Sequence, residues 1–211
     1  MIRNLYCYWI KRKIKKLKKL SFIRHAKSDW TSPLVSDHDR RLADRGQRAS
    51  TIMRDFFETT NKNFDSVFSS TALRAVETIE IIKPSIKDIE IIYKKDLYTF
   101  DDHMMLEFIC KITDDISSVL IVGHNPAIQE TVLRLSDTDQ NSNLLNRVEH
   151  KYPTAAFCTL TSSIEKWAHA SDTMFKLQEF ICPKELWISW LDFDWAHNFR
   201  LNNYIWAYFF D

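Results

Sequence analysis

The chain has 211 residues, 45% of them hydrophobic, enough for one well-buried domain and too short to expect two. No apolar run approaches bilayer length, and the N-terminus lacks the apolar core and small-residue cleavage site of a secretory signal, so a cytoplasmic protein is expected. The net charge of +1 hides a division: eight of the 29 Lys and Arg lie in residues 1–19, which hold no acid, leaving 21 bases against 28 acids and a net −7 for the rest.

In chain order, Leu20 to Ile23 reads as a first strand and Ser28 to Arg41 as a polar loop containing Pro33. Ala49, Ile52, Met53, Phe56 and Phe57 keep helical spacing, which predicts a helix from about Asp44 to Thr59. A short strand follows at Ser66 to Ser69, then a helix from Ala72 to Ile82 that Pro84 ends. Glu90 to Tyr93 reads as a strand and Asp102 to Ile112 as a helix. Ser118 to Val122 is a continuous β-branched run, the pattern of a parallel strand covered on both faces. Asn125 is the expected N-cap of the next helix, with Pro126 in its first position. A polar stretch at Asp137 to Asn146 precedes two more strands, Ala155 to Thr161 and Phe175 to Ile181. Strands alternating with helices predict a three-layer α/β/α sandwich with a mainly parallel central sheet. Cys7, Cys110, Cys158 and Cys182 form no C-x-x-C pair, so reduced thiols are expected, with neither a zinc site nor a disulfide framework.

Ligands of such sheets sit beyond the carboxyl ends of the strands. Three ends carry chemistry: I-R-H-A at 23–26, F-S-S-T-A-L-R-A at 68–75 and V-G-H-N-P at 122–126, which place Arg24, His25, Arg74 and His124 near one rim. Any one of them alone reads as a surface or capping residue; four at three strand ends read as a phosphoryl site. Guanidinium offers forked donors matched to phosphate oxygens, and a neutral imidazole nitrogen can attack phosphorus and carry it covalently. Aligned attack and charge neutralisation then suffice, so no metal and no cofactor are expected.

F-I-R-H-A-K-S, D-R-R-L-A-D-R-G, S-S-T-A-L-R-A-V-E-T and V-G-H-N-P resemble, in order and spacing, the histidine phosphatase superfamily, phosphoglycerate-mutase-like, and within it the small phosphohistidine phosphatases of SixA type. The resemblance covers residues 19–186. It implies that His25 is the nucleophile, that Arg24 and Arg74 clamp the phosphate, that His124 donates to the phosphoryl oxygens and that Arg40 is a further phosphate ligand. Three departures stand out. Ala26 replaces the superfamily's glycine, as is common in this branch; Arg41 replaces a proline; and Ala43 stands where a Thr often caps the following helix, leaving Asp44 to help cap it.

Relatives that cleave phosphomonoesters carry a glutamate general acid, and K-K-D-L-Y-T-F-D-D offers no clear equivalent. Asp96, Asp101 and Asp102 are the candidate substitutes, but they read as exposed loop acids. An alkoxide leaving group needs a positioned acid and an imidazole far less, so the expected reaction is hydrolysis of phosphohistidine in a protein. The alternatives are a small-molecule phosphomonoesterase or mutase of the same superfamily, and a non-catalytic phosphate-binding module. The ends are read apart from residues 19–186. Residues 1–18 form a basic extension, the lysines of 11–19 suiting an anionic membrane or nucleic acid but reading first as a solvated arm. Residues 187–211 carry ten aromatics and read as a tail packed on the body. The sequence leaves the oligomeric state open.

Overall fold

A computed structural model of the protein describes residues 17–86, 89–138 and 142–186; most of the basic extension and all of the aromatic tail lie outside the described residues. Six strands, β1 (Lys18–Arg24), β2 (Ser66–Ser70), β3 (Ile91–Lys94), β4 (Ser118–Gly123), β5 (Phe157–Ser162) and β6 (Lys176–Ile181), form one sheet in the order β3-β2-β4-β1-β5-β6. The pairings β2–β3, β2–β4 and β1–β4 are parallel, whereas β1–β5 and β5–β6 are antiparallel. The parallel half is the half that carries the expected site.

Alternation along β4 explains the three layers. Val119 and Ile121 face one way, into a core with α3 (Asp102–Cys110), α4 (Ala127–Leu135), α5 (Ser142–His150) and Trp167; Leu120 and Val122 face the other, against α1 (Asp44–Thr59) and α2 (Leu73–Ile82). Both faces are covered, as the uninterrupted apolar run requires.

Lys18, placed by sequence in the extension, opens β1, and its ammonium donates to the carbonyls of Asp114 and Ile116, both at 2.7 Å. The helix expected to begin at Pro126 begins at Ala127. Pro126 itself is the N-cap after a cis peptide bond, and Asn125 turns its side-chain amide to Gln129 Oε1 (3.0 Å) instead of capping. At α1 the N-cap is Ala43 with no side-chain hydrogen bond, so Asp44 does not cap and contributes only first-turn charge. The polar stretch before β5 contains α5, whose Val148 is fully buried. Among the described residues no helix is long and apolar enough to cross a membrane.

Candidate active site

Register brings the site together. Arg24 pairs with Gly123 across β1 and β4, and Ser69 with Val122 across β2 and β4. The next residues along, His25, His124 and Ser70, therefore leave three adjacent strands at the same edge. Neighbouring strands lie about 4.8 Å apart, and the His25 and His124 rings sit with centroids 4.9 Å apart. Arg74 enters from the first turn of α2. Thr78, one turn further on, ties that helix to β1: its hydroxyl donates to the Arg74 carbonyl (2.6 Å) and accepts the Ala26 N–H (3.0 Å).

Hydrogen-bond partners fix the tautomers. His25 Nδ1 lies 2.7 Å from the Ala26 carbonyl, which can only accept, so Nδ1 carries the proton and Nε2 keeps its lone pair. That lone pair accepts the Nε–H of Arg74 at 3.2 Å. Arg74 Nη2 donates to His124 Nδ1 at 3.3 Å, which puts the His124 proton on Nε2, 2.8 Å from Ser70 Oγ. Burial, and then the charges of Arg74, Arg24 and Arg40, push the His25 pKa down to about 3, against the hydrogen bond to Ala26. Burial, His25 and Arg74 push His124 down to about 2. Both rings are neutral at neutral pH.

The remaining cations differ in their surroundings. Arg24 donates from Nη1 to the Tyr152 carbonyl (2.7 Å), and Arg40 stacks on Trp30 with its guanidinium carbon 3.3 Å from the ring centroid. The Nε–H groups of Arg24 and Arg40 are buried without a hydrogen-bond acceptor among the described residues. Arg41 stays outside this cluster, paired with Glu77 at 2.7 Å. Of the five residues picked out by sequence, Arg74 contacts both His25 and His124 and is linked to Arg40 through Asp37, while Arg24 and Arg40 act on His25 through their charges.

Two further side chains reach the site unannounced. Asp37, from the loop before α1, accepts from Arg74 Nη2 (2.9 Å), from Arg40 and from the Tyr98 hydroxyl. Tyr98 also stands edge-on to His124, with centroids 5.3 Å apart. The candidate acids have other partners or lie in solvent: Asp101 caps α3 by accepting the His103 N–H (2.7 Å), and Asp96 is exposed. Asp102, read as an exposed loop acid, is instead buried and paired with Arg134 at 2.8 Å.

Two neutral imidazoles among three guanidiniums, at the carboxyl edge of a parallel sheet, suit a tetrahedral oxyanion. The sequence profile of the Histidine phosphatase superfamily (branch 1) matches residues 20–101. An uncharacterized protein of Mycobacterium leprae is 31% identical over 165 residues, 77% of this chain and 100% of its own length. A structure from Nakamurella multipartitia, proposed to be the phosphohistidine phosphatase SixA, is 27% identical with a TM-score of 0.65, covering 79% of this chain and 96% of that one. A structure from Agrobacterium tumefaciens with the same proposed identity is 25% identical with a TM-score of 0.66, covering 79% and 98%. The chain belongs to the histidine phosphatase superfamily. It is a phosphatase with the phosphoglycerate-mutase-like fold.

Proposed function

We propose that the protein hydrolyses phosphohistidine in a protein substrate through a covalent phospho-His25 intermediate. The observation that carries this reading is the unprotonated Nε2 of His25, on a neutral ring and met at 3.2 Å by a guanidinium N–H of Arg74. A nucleophile and an oxyanion donor share one point, which is the requirement for in-line attack with charge stabilisation.

His25 Nε2 attacks phosphorus as the bond from phosphorus to the leaving imidazole breaks, and that imidazole takes its proton from solvent. Water then attacks phospho-His25, the Nε2–P bond breaks, and inorganic phosphate leaves. Arg24, Arg74 and Arg40 carry the equatorial charge. For His124 to donate to a phosphoryl oxygen, its proton must move to Nδ1; Nε2 then accepts from the Ser70 hydroxyl, a group able to play either part. The engagement of Asp101 and Asp102 elsewhere supports an imidazole over an alkoxide leaving group. The likeness to two structures proposed to be phosphohistidine phosphatases supports the same substrate class.

The test is phosphate release from a panel of phosphohistidine proteins, aryl phosphates and alkyl phosphates, with labelled phosphate on the chain trapped by an alkaline detergent quench that spares the acid-labile N–P bond. Phosphohistidine turnover above that of alkyl phosphates, and loss of trapped label in His25→Ala, are expected. Label persisting in that variant would move the nucleophile elsewhere. Equal rates on alkyl and aryl esters that collapse in Asp96→Asn or Asp102→Asn would restore a phosphomonoesterase.

A further inference from the structure

Arg74 and Arg40 are not open to solvent: a carboxylate bridges them. Asp37 Oδ2 accepts from Arg74 Nη2 at 2.9 Å and from the Tyr98 hydroxyl; Oδ1 accepts from Arg40; and the Asp37 backbone carbonyl accepts from Arg74 Nη1. These donors come from three separate segments: the loop before α1, the first turn of α2 and the turn before α3. Two carboxylate oxygens on a guanidinium pair reproduce the forked contact that two phosphoryl oxygens make. The loop bearing Asp37 is itself exposed and the Asp37 side chain is 44% accessible, so its carboxylate borders water.

We propose that Asp37 is a specificity-determining residue, an internal anion seated where the phosphoryl group binds, which only a terminal, doubly charged phosphoryl group displaces. The inference rests on the reading of this rim as a phosphoryl site. A phosphodiester or a free carboxylate brings one negative charge and two free oxygens, the same as Asp37, and must compete with a tethered group at high local concentration. A terminal phosphoryl group brings two charges and three oxygens. The seat therefore rejects singly charged ligands by competition and needs no steric wall to do so.

The neighbouring Asp39 is the internal control. It lies on the same loop, but its carboxylate accepts from Ser36 (2.7 Å) and pairs with His38 (3.1 Å). Calorimetric titration at pH 8 of inorganic phosphate and of dimethyl phosphate into the full chain, Asp37→Asn, Asp37→Ala and Asp39→Asn separates the possibilities. Both Asp37 variants are expected to bind phosphate about tenfold more tightly and to bind dimethyl phosphate measurably, narrowing the gap between the two ligands, while Asp39→Asn matches the parent. Weaker phosphate binding in both Asp37 variants would overturn the proposal alone and make Asp37 a brace for Arg74. Equal gains in Asp39→Asn would also overturn it, leaving a bulk charge effect. Failure of every protein to bind phosphate would remove the phosphoryl reading and the proposal with it.

Discussion

Gly46→Ala tests whether the catalytic edge is set by close backbone packing. Gly46 sits in the first turn of α1, and a Cβ there would lie 2.2 Å from the Lys27 carbonyl oxygen and 3.0 Å from the Lys27 carbonyl carbon and nitrogen. Ordinary contact begins at 3.4 Å, so helix and segment must part by about 1.2 Å. Lys27 cannot give way freely. Its oxygen accepts the Ala43 N–H at 2.9 Å, the Asp29 N–H binds the Arg41 carbonyl at 2.8 Å, and Ala26 is held to Thr78. Overpacking of this kind costs about 1–3 kcal/mol, a Tm fall of roughly 3–10 °C for a chain of this size. An ångström of displacement two residues from His25 lowers turnover on the order of a hundredfold. Gly123→Ala is the contrast: although it adjoins His124, its added Cβ meets nothing closer than 3.5 Å, from Ile128 and Met105 side chains. It should cost no more than about 1 kcal/mol. Thermal unfolding and turnover of a small phosphoramidate measure both variants. Near-parental values for Gly46→Ala, or equal damage from Gly123→Ala, would refute the reasoning.

The folded-state pKa values of about 3 for His25 and about 2 for His124 lie below the roughly 6.5 of an unfolded histidine. As pH falls from about 6.5 toward 3, the unfolded chain binds protons that the folded chain does not, and stability drops by up to about 1.4 kcal/mol per pH unit for each ring. Urea unfolding at pH 7 and pH 5, with ring resonances followed by NMR, should show falling stability and no titration of either ring above pH 5; a midpoint near 6.5 would place that ring in water. Ser70→Ala removes the hydrogen-bond partner of His124 Nε2 at a fully buried position. It should cost about 1–3 kcal/mol and lower kcat more than it raises KM. Nitrogen-15 shifts of the parent protein in phosphate-free buffer should place the His124 proton on Nε2; finding it on Nδ1 would contradict the tautomer assignment.

What was legible in the sequence follows physical lines. β1, β2 and β4 are readable because each is an apolar run that stops abruptly at Arg, His or Ser, and parallel pairing then places those stops side by side. α5 was hidden because only Leu144, Leu145 and Val148 interrupt its polar sequence, too few to set a period, and its burial comes from tertiary contact. Asp37 illustrates a deeper limit. It and Asp39 flank His38 symmetrically, and nothing local distinguishes them. The distinction is made at a distance: the His38 carbonyl accepts the Leu73 N–H at 2.9 Å, and His38 Nε2 lies 3.0 Å from Thr71 Oγ1. With His38 pinned to the start of α2, the residue before it meets Arg74 and the residue after it faces water.

If the rim is the phosphoryl site proposed above, binding and activation of the nucleophile need no separate devices. On the proposed reading, an anion site built from three arginines stands close to the atom that attacks the anion, and that closeness adds to burial in penalising the imidazolium form of His25. Burial first, and then the assembled cations, therefore hold His25 neutral. Nδ1 is occupied by the Ala26 carbonyl, so the lone pair is left on the nitrogen that faces the arginines. A doubly charged phosphoryl group entering this field cancels much of its positive potential and makes protonation of the rings easier. On the proposed reading, such a group would draw His124 toward the tautomer with the proton on Nδ1, and the Ser70 hydroxyl, 2.8 Å from Nε2, can turn its own proton to that nitrogen.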